Sequence, residues 1–177
     1  NLGFGRGVDA GIQAAIALGC RTIILVNPDA ILDLSTADAL RAAVIADPDA
    51  LVAPRIVGSA GQSYFHGAEL DLTTGRTRGM LRTADGSVRR RVAGPAQDWI
   101  SGACVAFSTE LLTRVGGVGH AADDYFLYWE DVDLSHRVLA DGGRLIVRPD
   151  LTVIHDEGGT QDRPDARAKS ATYYYWN

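Results

Sequence analysis

Cysteine, long apolar runs and excess basic charge are all missing or scarce in this sequence. Its 177 residues contain two cysteines, Cys20 and Cys104, without Cys-x-x-Cys spacing. Neither a zinc knuckle nor a disulfide framework is therefore indicated, and we expect two buried free thiols in a reducing compartment. No apolar run approaches the roughly 18 residues that a membrane span requires, and no signal peptide is visible. The sequence thus predicts neither a membrane span nor a disulfide-stapled domain.

The charge and composition restrict the class of partner. The net charge is −5 and the isoelectric point is about 5.3, which argue against a general nucleic-acid binder. With 46% hydrophobic residues, a single domain can bury a real core. The chain opens at Asn1 without an initiator methionine, and the 173–177 end also looks interrupted. We therefore expect a piece of a longer protein, truncated at both ends.

Helix and strand patterns alternate along the first third of the chain. After three glycines at alternate positions, apolar periodicity predicts a helix near 8–18. The continuous apolar run at 22–26 predicts a central strand covered on both faces. A second helix follows, capped by Ser35 and ended by Pro48. Next comes a short strand at 51–54, whose proline predicts a place near an edge or an end. This alternation predicts an α/β sheet with parallel members, in which ligands bind beyond the carboxyl ends of the strands.

The pattern resumes after a different middle section. We predict one strand over 99–107, a short helix over 109–115 and a longer helix over 130–140. Two short strands at 145–147 and 151–154 come next, and the tail from 165 to 177 has helical character. The glycine within the first of these strands often marks the close approach of a ligand or backbone.

The section from 57 to 95 is rich in Gly, Ser, Thr and Arg. Six of the 17 basic residues lie here, and Asp85-Gly86 is a hairpin signal. The arginines are Arg76, Arg78, Arg82, Arg89, Arg90 and Arg91. One interpretation is a solvated hairpin whose charged edges prevent aggregation. The other is a basic flap, inserted into a single 1–177 domain, that meets an anionic substrate or a phospholipid surface.

An aromatic block that runs into carboxylates stands out at 124–137. Four aromatics and a leucine precede Glu130 and Asp131 instead of alternating with polar residues at helical spacing. This order suits a buried wall that ends at a pocket mouth, with both carboxylates at the opening of a helix. There, a carboxylate can serve as a general base. The alternative is that Glu130 and Asp131 only cap and charge the first helical turn.

Two further polar residues follow strands. Asp29 comes after the strand at 22–26, and His155 comes after the strand at 151–154. Together with Asp131 they offer carboxylate and imidazole ligands for a divalent ion that keeps open positions for substrate. His66, His120 and His136 are interpreted as surface or core histidines.

Several motifs together carry a resemblance to a known family. The chain resembles family 2 glycosyltransferases of the GT-A fold, especially the bacterial rhamnosyltransferase-like group that builds cell-wall and surface polysaccharides. The matching residues are Asn1-Leu2-Gly3-Phe4, Leu25-Val26-Asn27-Pro28-Asp29-Ala30, Gly102, Val115-Gly116-Gly117, Tyr125-Phe126 through Arg137, and Val153-Ile154-His155 with Gly158-Gly159-Thr160. Two positions depart from the family pattern: Asp9 replaces an asparagine, and Val118-Gly119-His120 replaces Phe-Asp-Glu.

The resemblance implies a fold and a reaction. It implies a GT-A, Rossmann-like mixed sheet flanked by helices, which here lacks the N-terminal nucleotide-binding strands. Asp29, helped by His155 and Asn27, would hold Mg²⁺ or Mn²⁺ on the diphosphate of a nucleotide sugar. Asp131 would deprotonate the acceptor hydroxyl for an inverting displacement, and Glu130 would orient Asp131 or contact the acceptor.

The resemblance also implies substrates and a location. Residues that would contact the substrates are Trp99, Ser101, Gly102, Trp129, Asn1 and Gly3. The donor would be a nucleotide sugar, with dTDP-rhamnose as the candidate, and the acceptor a glycan or lipid-linked saccharide. The location would be cytoplasmic, with peripheral contact at the inner face of the plasma membrane. The isolated chain would be weakly active or inactive. The rival hypotheses are a non-catalytic sugar- or nucleotide-binding module and a nucleotidyltransferase.

Overall fold

The computed structural model describes residues 3–82, 88–120 and 125–155. The predicted tail helix, Asn1, Asp85-Gly86 and Gly158-Gly159-Thr160 lie outside these residues. The helices are α1 (Phe4–Ala17), α2 (Leu34–Ala46), α3 (Thr109–Arg114) and α4 (Glu130–Ala140). The strands are β1 (Thr22–Val26), β2 (Ala30–Ile31), β3 (Ala50–Val57), β4 (Ser63–Phe65), β5 (Ala68–Asp71), β6 (Thr77–Gly79), β7 (Leu81–Arg82), β8 (Val88–Arg89), β9 (Ala96–Trp99), β10 (Cys104–Ser108) and β11 (Arg144–His155).

A six-stranded mixed sheet organises the fold. Its order is β1-β10-β3-β11-β2, with β4 paired to β3. β10 runs antiparallel to both β1 and β3, whereas β3 and β11 are parallel. β1, β3 and β11 therefore point the same way, and the residues that follow β1 and β11 emerge at one edge of the sheet. This is where an α/β sheet presents ligand-binding residues.

Helices cover both faces of this sheet, because successive strand residues point to opposite sides. On one face, Ile12 of α1, Leu111 of α3 and Val138 of α4 pack with residues of β3 and β10, including Leu51 and Phe107. On the other face, α2 buries Leu40 and Val44 against Val52, Cys104 and Ala106. Among the described residues, no helix is both long enough and apolar enough to cross a membrane.

Two strand predictions were wrong in their position within the sheet. β1 is partly exposed and, in the described part of the chain, pairs only with β10, so it is not the central covered strand. The central strand is β3, which is almost wholly buried although it contains Pro54. Pro54 is tolerated there because β10 meets β3 only at Val52 and the register of β11 shifts after Arg148. A ladder hydrogen bond from position 54 is therefore not needed.

Two strand boundaries also differ. The run predicted as one strand over 99–107 is divided: β9 belongs to a three-stranded sheet, β6-β5-β9, and β10 belongs to the main sheet. The turn at 100–103 carries the chain between them. Conversely, the two short strands predicted at 145–147 and 151–154 form the single irregular strand β11.

The helix ends show which local signals prevailed. α4 has the predicted bounds, but α1 begins at Phe4, so the glycine loop supplies its first turns. Asp33, not Ser35, caps α2, because its carboxylate accepts from the Thr36 N–H at 2.8 Å and from the Ser35 hydroxyl at 2.6 Å. These hydrogen bonds lower the pKa of Asp33 to about 2.

The arginine-rich section contributes to more than one sheet. β4 joins the main sheet, β5 and β6 form the small sheet with β9, and β7 pairs with β8. Arg90 is held by Glu69 at 3.0 Å and by Asp98 at 2.9 Å. Glu69 itself is fully buried and also accepts from the backbone N–H of Arg91 at 2.7 Å. Inclusion of this section as a flap within one 1–177 domain stays a prediction.

The two thiols are free but differ in environment. Cys104 is fully buried, and burial raises its pKa to about 12. Cys20 follows the end of α1 and is exposed, so the prediction that it is buried was wrong. Its apolar sequence neighbours belong to a helix end, where position 20 faces outward.

Candidate active site

Asp29, His155 and Asn27 meet at the carboxyl edge of the main sheet. Asp29 Oδ1 lies 3.2 Å from His155 Nε2, and Asn27 Nδ2 lies 3.5 Å from the same nitrogen. The sheet itself creates this contact, because Ala30 of β2 stands opposite His155 of β11. Asp29 directly precedes Ala30, so the antiparallel pairing places its side chain beside the imidazole.

The chemistry of this trio fits a divalent cation. It offers a carboxylate, an imidazole and an amide group, and Oδ1 of Asn27 is buried without a hydrogen-bond partner among the described residues. A buried polar atom without a partner is costly unless a ligand satisfies it. His155 and Asp29 keep only 12% and 22% of their side-chain surface exposed. An ion here would need further ligands from substrate oxygens, as is common where a cation bridges phosphates.

Asp131 does not belong to this trio, so the hypothesis that Asp29, Asp131 and His155 share one ion was wrong. Among the described residues, no three His, Cys, Asp or Glu side chains are placed to hold a metal. Asp131 instead accepts from the Gly102 N–H at Oδ2 (3.1 Å) and from the Val132 N–H at Oδ1 (2.9 Å). Burial raises the pKa of Asp131, and these two hydrogen bonds partly oppose that rise.

Glu130 lies deeper than its neighbour. Only 6% of its surface is exposed, and its Oε1 has no hydrogen-bond partner in the part of the chain that the structure describes. Burial, with a smaller contribution from the charge of Asp131, raises the pKa of Glu130 to about 7. The prediction that both carboxylates stand at a pocket mouth was wrong for Glu130, which faces the protein interior.

We expect Glu130→Gln to change how stability depends on pH. Folding raises the pKa of Glu130 from 4.5 to about 7, so the folded state binds this proton more tightly than the unfolded state does. The stability that depends on the bound proton is fully present below pH 4.5 and is lost as pH rises from about 4.5 through 7. Glutamine stays neutral, so the variant should exceed the wild type in unfolding free energy by up to about 3 kcal/mol at pH 8 and match it near pH 4.5.

Urea unfolding of both proteins at these two pH values measures the effect. The matched control is Asp38→Asn on the exposed surface of α2, which should leave the pH dependence of wild type in place. Parallel stability curves for wild type and Glu130→Gln would contradict the raised pKa.

The segment that leads into α4 has unusual backbone geometry. Tyr128 and Trp129 both have positive φ, 68° and 74°, a conformation that costs non-glycine residues about 1–3 kcal/mol and concentrates at functional sites. Trp129 thereby becomes the N-cap of α4 without a side-chain cap hydrogen bond. This geometry turns the chain so that Trp129 and Val132, on either side of the two carboxylates, line the same cleft.

This cleft has a volume of about 920 Å³. It lies between the small β6-β5-β9 sheet and the start of α4, and its floor includes Leu70, Leu72 and Val132. Its polar and aromatic lining consists of Arg76, Arg78, Gln97, Tyr125, Trp129, Asp133 and His136. The Asp131 carboxylate is not part of that lining. It faces a separate void of about 10 Å³ that it shares with Gly102 and Ser135.

The glycine loop and the aromatic segment support each other. The Phe4 N–H donates to the Phe126 carbonyl at 3.1 Å. Gly3 has φ of 82°, and a Cβ there would lie 2.6 Å from that carbonyl oxygen. The loop that contains Gly3 therefore buttresses the segment that carries Trp129, and a role in substrate binding stays a prediction for Gly3.

The two departures from the family pattern contact each other. The Asp9 carboxylate accepts from the N–H groups of Val118 at 2.7 Å and Gly119 at 2.9 Å. Gly5 completes this contact, because a Cβ there would come within 2.8 Å of the Gly119 Cα. Asp9 thus holds the turn that follows α3.

The remaining predicted substrate-binding residues occupy different surroundings. Ser101 accepts from the Ala103 N–H at 3.2 Å and shapes the turn that places Gly102 under Asp131. Trp99 packs on Phe65 with ring centroids 5.4 Å apart and has a buried indole nitrogen without an acceptor among the described residues. Substrate contact by Trp99 and Ser101 stays a prediction, since neither is among the residues that line the cleft.

Two cleft residues were missed in the sequence. His136, interpreted as a surface or core histidine, bonds to Gln97 through Nδ1 and lines the cleft beside Tyr125. Helical spacing could have indicated His136, because positions 129, 132, 133 and 136 share one face of α4. Gln97 had no such signal, since its position depends on pairing in the small sheet.

The comparisons with known proteins support the fold. No family model matches the sequence, and curated proteins give no significant sequence match. Among solved structures, the chain is similar to the crystal structure of GalNAc-T7 with UDP, GalNAc and Mn²⁺, at a TM-score of 0.52 and 16% identity. The match covers 86% of this chain and 32% of that chain, so this chain spans about a third of the neighbour's length. The likeness confirms the predicted GT-A fold, a mixed α/β sheet flanked by helices.

Proposed function

We propose that this chain is the metal- and acceptor-binding part of a glycosyltransferase that uses a nucleotide sugar. One observation carries the proposal: the GT-A sheet brings Asp29, Asn27 and His155 together at its carboxyl edge, with an unsatisfied amide oxygen among them. The fold neighbour was crystallised with UDP, GalNAc and Mn²⁺, which supports both a nucleotide sugar and a divalent cation as ligands.

In a displacement at an anomeric carbon, the residues of the site would have different roles. Asp29, His155 and Asn27 would hold Mg²⁺ or Mn²⁺, which would stabilise the negative charge of the departing diphosphate. His155 would bind the cation through a ring nitrogen that carries no proton. Asp131 would accept the proton of the acceptor hydroxyl, and a single displacement would invert the anomeric configuration.

The enzyme family and the substrates are inferred from the sequence motifs, not from the fold. The Asn-Pro-Asp, Glu-Asp and terminal histidine motifs support a family 2, bacterial rhamnosyltransferase-like enzyme of cell-wall polysaccharide synthesis. A glycan or lipid-linked acceptor, at the cytoplasmic face of the plasma membrane, completes the proposal.

A non-catalytic sugar- or nucleotide-binding module is the second candidate. Its supporting observation is that Asp131 faces a void of about 10 Å³ instead of the large cleft. As a binding module, the protein would retain a nucleotide sugar without cleaving it.

Turnover of nucleotide sugars separates these candidates. We expect Mn²⁺-dependent release of nucleoside diphosphate from one member of a panel that includes dTDP-rhamnose, UDP-glucose and UDP-GalNAc. The anomeric configuration of the product, read by NMR, would report inversion. Binding of a donor without turnover for any acceptor would favour the module, and release of pyrophosphate from a nucleoside triphosphate would indicate a nucleotidyltransferase.

A further inference from the structure

The large cleft combines an aromatic wall with two arginines that form no ion pair within the described residues. Arg78 of β6 and Arg76, which precedes that strand, both line the cleft. Both side chains are exposed, and neither forms an ion pair within the described residues. Arg90, by contrast, is engaged with Glu69 and Asp98. The two cleft arginines therefore remain available to an anion that enters the cleft.

The acidic side chains near the cleft form their ion pairs and hydrogen bonds with groups other than these two arginines. Asp133 lines the cleft, but it pairs with Arg137 at 2.8 Å. Arg137 is further fixed by the carbonyl groups of Val115 and Gly117. Asp71, at the end of β5, lies within the electrostatic influence of Arg78, but its carboxylate accepts from the Thr73 N–H at 2.8 Å. Glu69 stands opposite Arg78 in the β5–β6 ladder, but it is fully buried and pairs with Arg90. Two exposed guanidinium groups therefore line the cleft without an ion pair among the described residues.

The opposite wall suits a sugar ring. Trp129 and Tyr125 line the cleft, and aromatic faces pack against the apolar face of a pyranose while their polar edges stay near water. His136 and Gln97 add hydrogen-bonding groups, so the cleft offers a flat apolar surface, polar groups and two guanidinium groups. Guanidinium groups bind carboxylate and phosphate with paired hydrogen bonds.

We propose that this cleft binds an acceptor saccharide that bears an anionic group, a carboxylate or a phosphate, with the anion on Arg76 and Arg78 and the ring on Trp129. The proposal rests on the glycosyltransferase function and names the class of acceptor. The cleft lies next to Glu130 and Asp131 in the chain, because Trp129 and Val132 line it. An acceptor seated there would lie against Trp129 and Val132, which flank Glu130 and Asp131 in the chain.

Matched monosaccharides test this proposal without requiring turnover. Methyl β-glucuronide and methyl β-glucoside differ only in a carboxylate in place of a hydroxymethyl group, and glucose 6-phosphate tests the phosphate. The indole N–H signal of Trp129 in ¹H–¹⁵N NMR spectra, assigned with Trp129→Phe, reports binding. We expect each anionic sugar to bind roughly tenfold or more tightly than the neutral one. The tighter of the two identifies the preferred anion.

Substitutions test whether Arg76 and Arg78 bind the anionic group. Arg76→Gln with Arg78→Gln should remove the preference for the anionic sugars and leave the weak affinity for the glucoside unchanged. Arg41→Gln, an exposed arginine on α2, is the matched control and should preserve the preference. Equal affinity for all three sugars, or a preference that survives the double substitution, would overturn the proposal.

The same titrations with UDP and Mn²⁺ present keep this inference separate from the proposed function. Retention of glucuronide binding with UDP present would support an acceptor subsite. Competition between UDP and the glucuronide would overturn it, because the arginines would then serve the donor diphosphate. Failure of donor turnover alone would leave the anion-binding result intact and would count against the glycosyltransferase function only.

Discussion

Asp131→Asn is expected to reduce sugar transfer by about 10²- to 10⁴-fold, the range that a positioned general base contributes. Asparagine keeps the size of the side chain, and its amide oxygen can still accept from the Gly102 or Val132 N–H. It cannot take the acceptor proton. The fold should persist, because substitution also removes a buried charge whose pKa burial raises. The loss should therefore appear in kcat and not in the midpoint of thermal unfolding.

Glu130→Gln provides the decisive comparison for Asp131→Asn. If Asp131 is the base, Glu130→Gln should retain far more activity, because Glu130 would only orient its neighbour. If Glu130→Gln loses more activity than Asp131→Asn, the base is Glu130, whose pKa of about 7 and unpaired Oε1 would suit that role. Asp38→Asn on exposed α2 controls for general effects. Full activity in both active-site variants would remove the base from this segment altogether.

Local sequence signals predicted the elements that depend on local interactions. The bounds of α4 follow from carboxylates in its first turn and from Leu134 and Val138 on its buried face. β1 likewise has the predicted bounds. In α2, two competing caps stood two residues apart, and Asp33 prevailed over Ser35 because its carboxylate reaches both Thr36 and Ser35.

The position of each strand in the sheet could not be read from local patterns. Pro54 predicted an edge, yet β3 is central because its neighbours lose register beside that proline. The run from 99 to 107 looks like one apolar strand. Its halves separate because β9 pairs with β5 and β10 pairs with β1. Pairing partners distant in sequence decide both outcomes.

The candidate site likewise contains residues that the sequence indicated and residues that only long-range pairing brings together. The order of strands and the resemblance together indicated Asp29 and His155, and the structure brings them within 3.2 Å. The cleft was not predictable, because Gln97, His136 and Arg78 converge only through the small sheet and the turn of Tyr128 and Trp129. Likewise, nothing in the sequence indicated that Asp9 would hold the turn at Val118 and Gly119.

Asp29→Ala and His155→Ala are each expected to weaken Mn²⁺ binding by roughly tenfold or more, and to reduce transfer at least in proportion. Each substitution removes one of the few protein ligands available at the edge of the sheet. Titration of Mn²⁺ by electron paramagnetic resonance, with and without UDP or dTDP, measures binding without requiring turnover. His120→Ala and Asp38→Ala, both outside the trio, are the matched controls. An unchanged Mn²⁺ affinity in both variants would refute the metal site.

A substitution at Asn27 is expected to raise the affinity for Mn²⁺ instead of lowering it. Its Oδ1 is buried and unpaired beside His155, so Asn27→Asp would place a second carboxylate where the cation is expected. An added anionic oxygen ligand strengthens binding of a hard divalent cation, so Mn²⁺ affinity should rise, whereas Asn27→Ala should lower it. In the absence of metal, Asp29 and the new carboxylate would repel each other, and the variant should be less stable until Mn²⁺ is added. This reciprocal pattern distinguishes a cation site from an ordinary His–Asp pair: a purely structural pair would lose stability on Asn27→Asp without recovering it when Mn²⁺ is present.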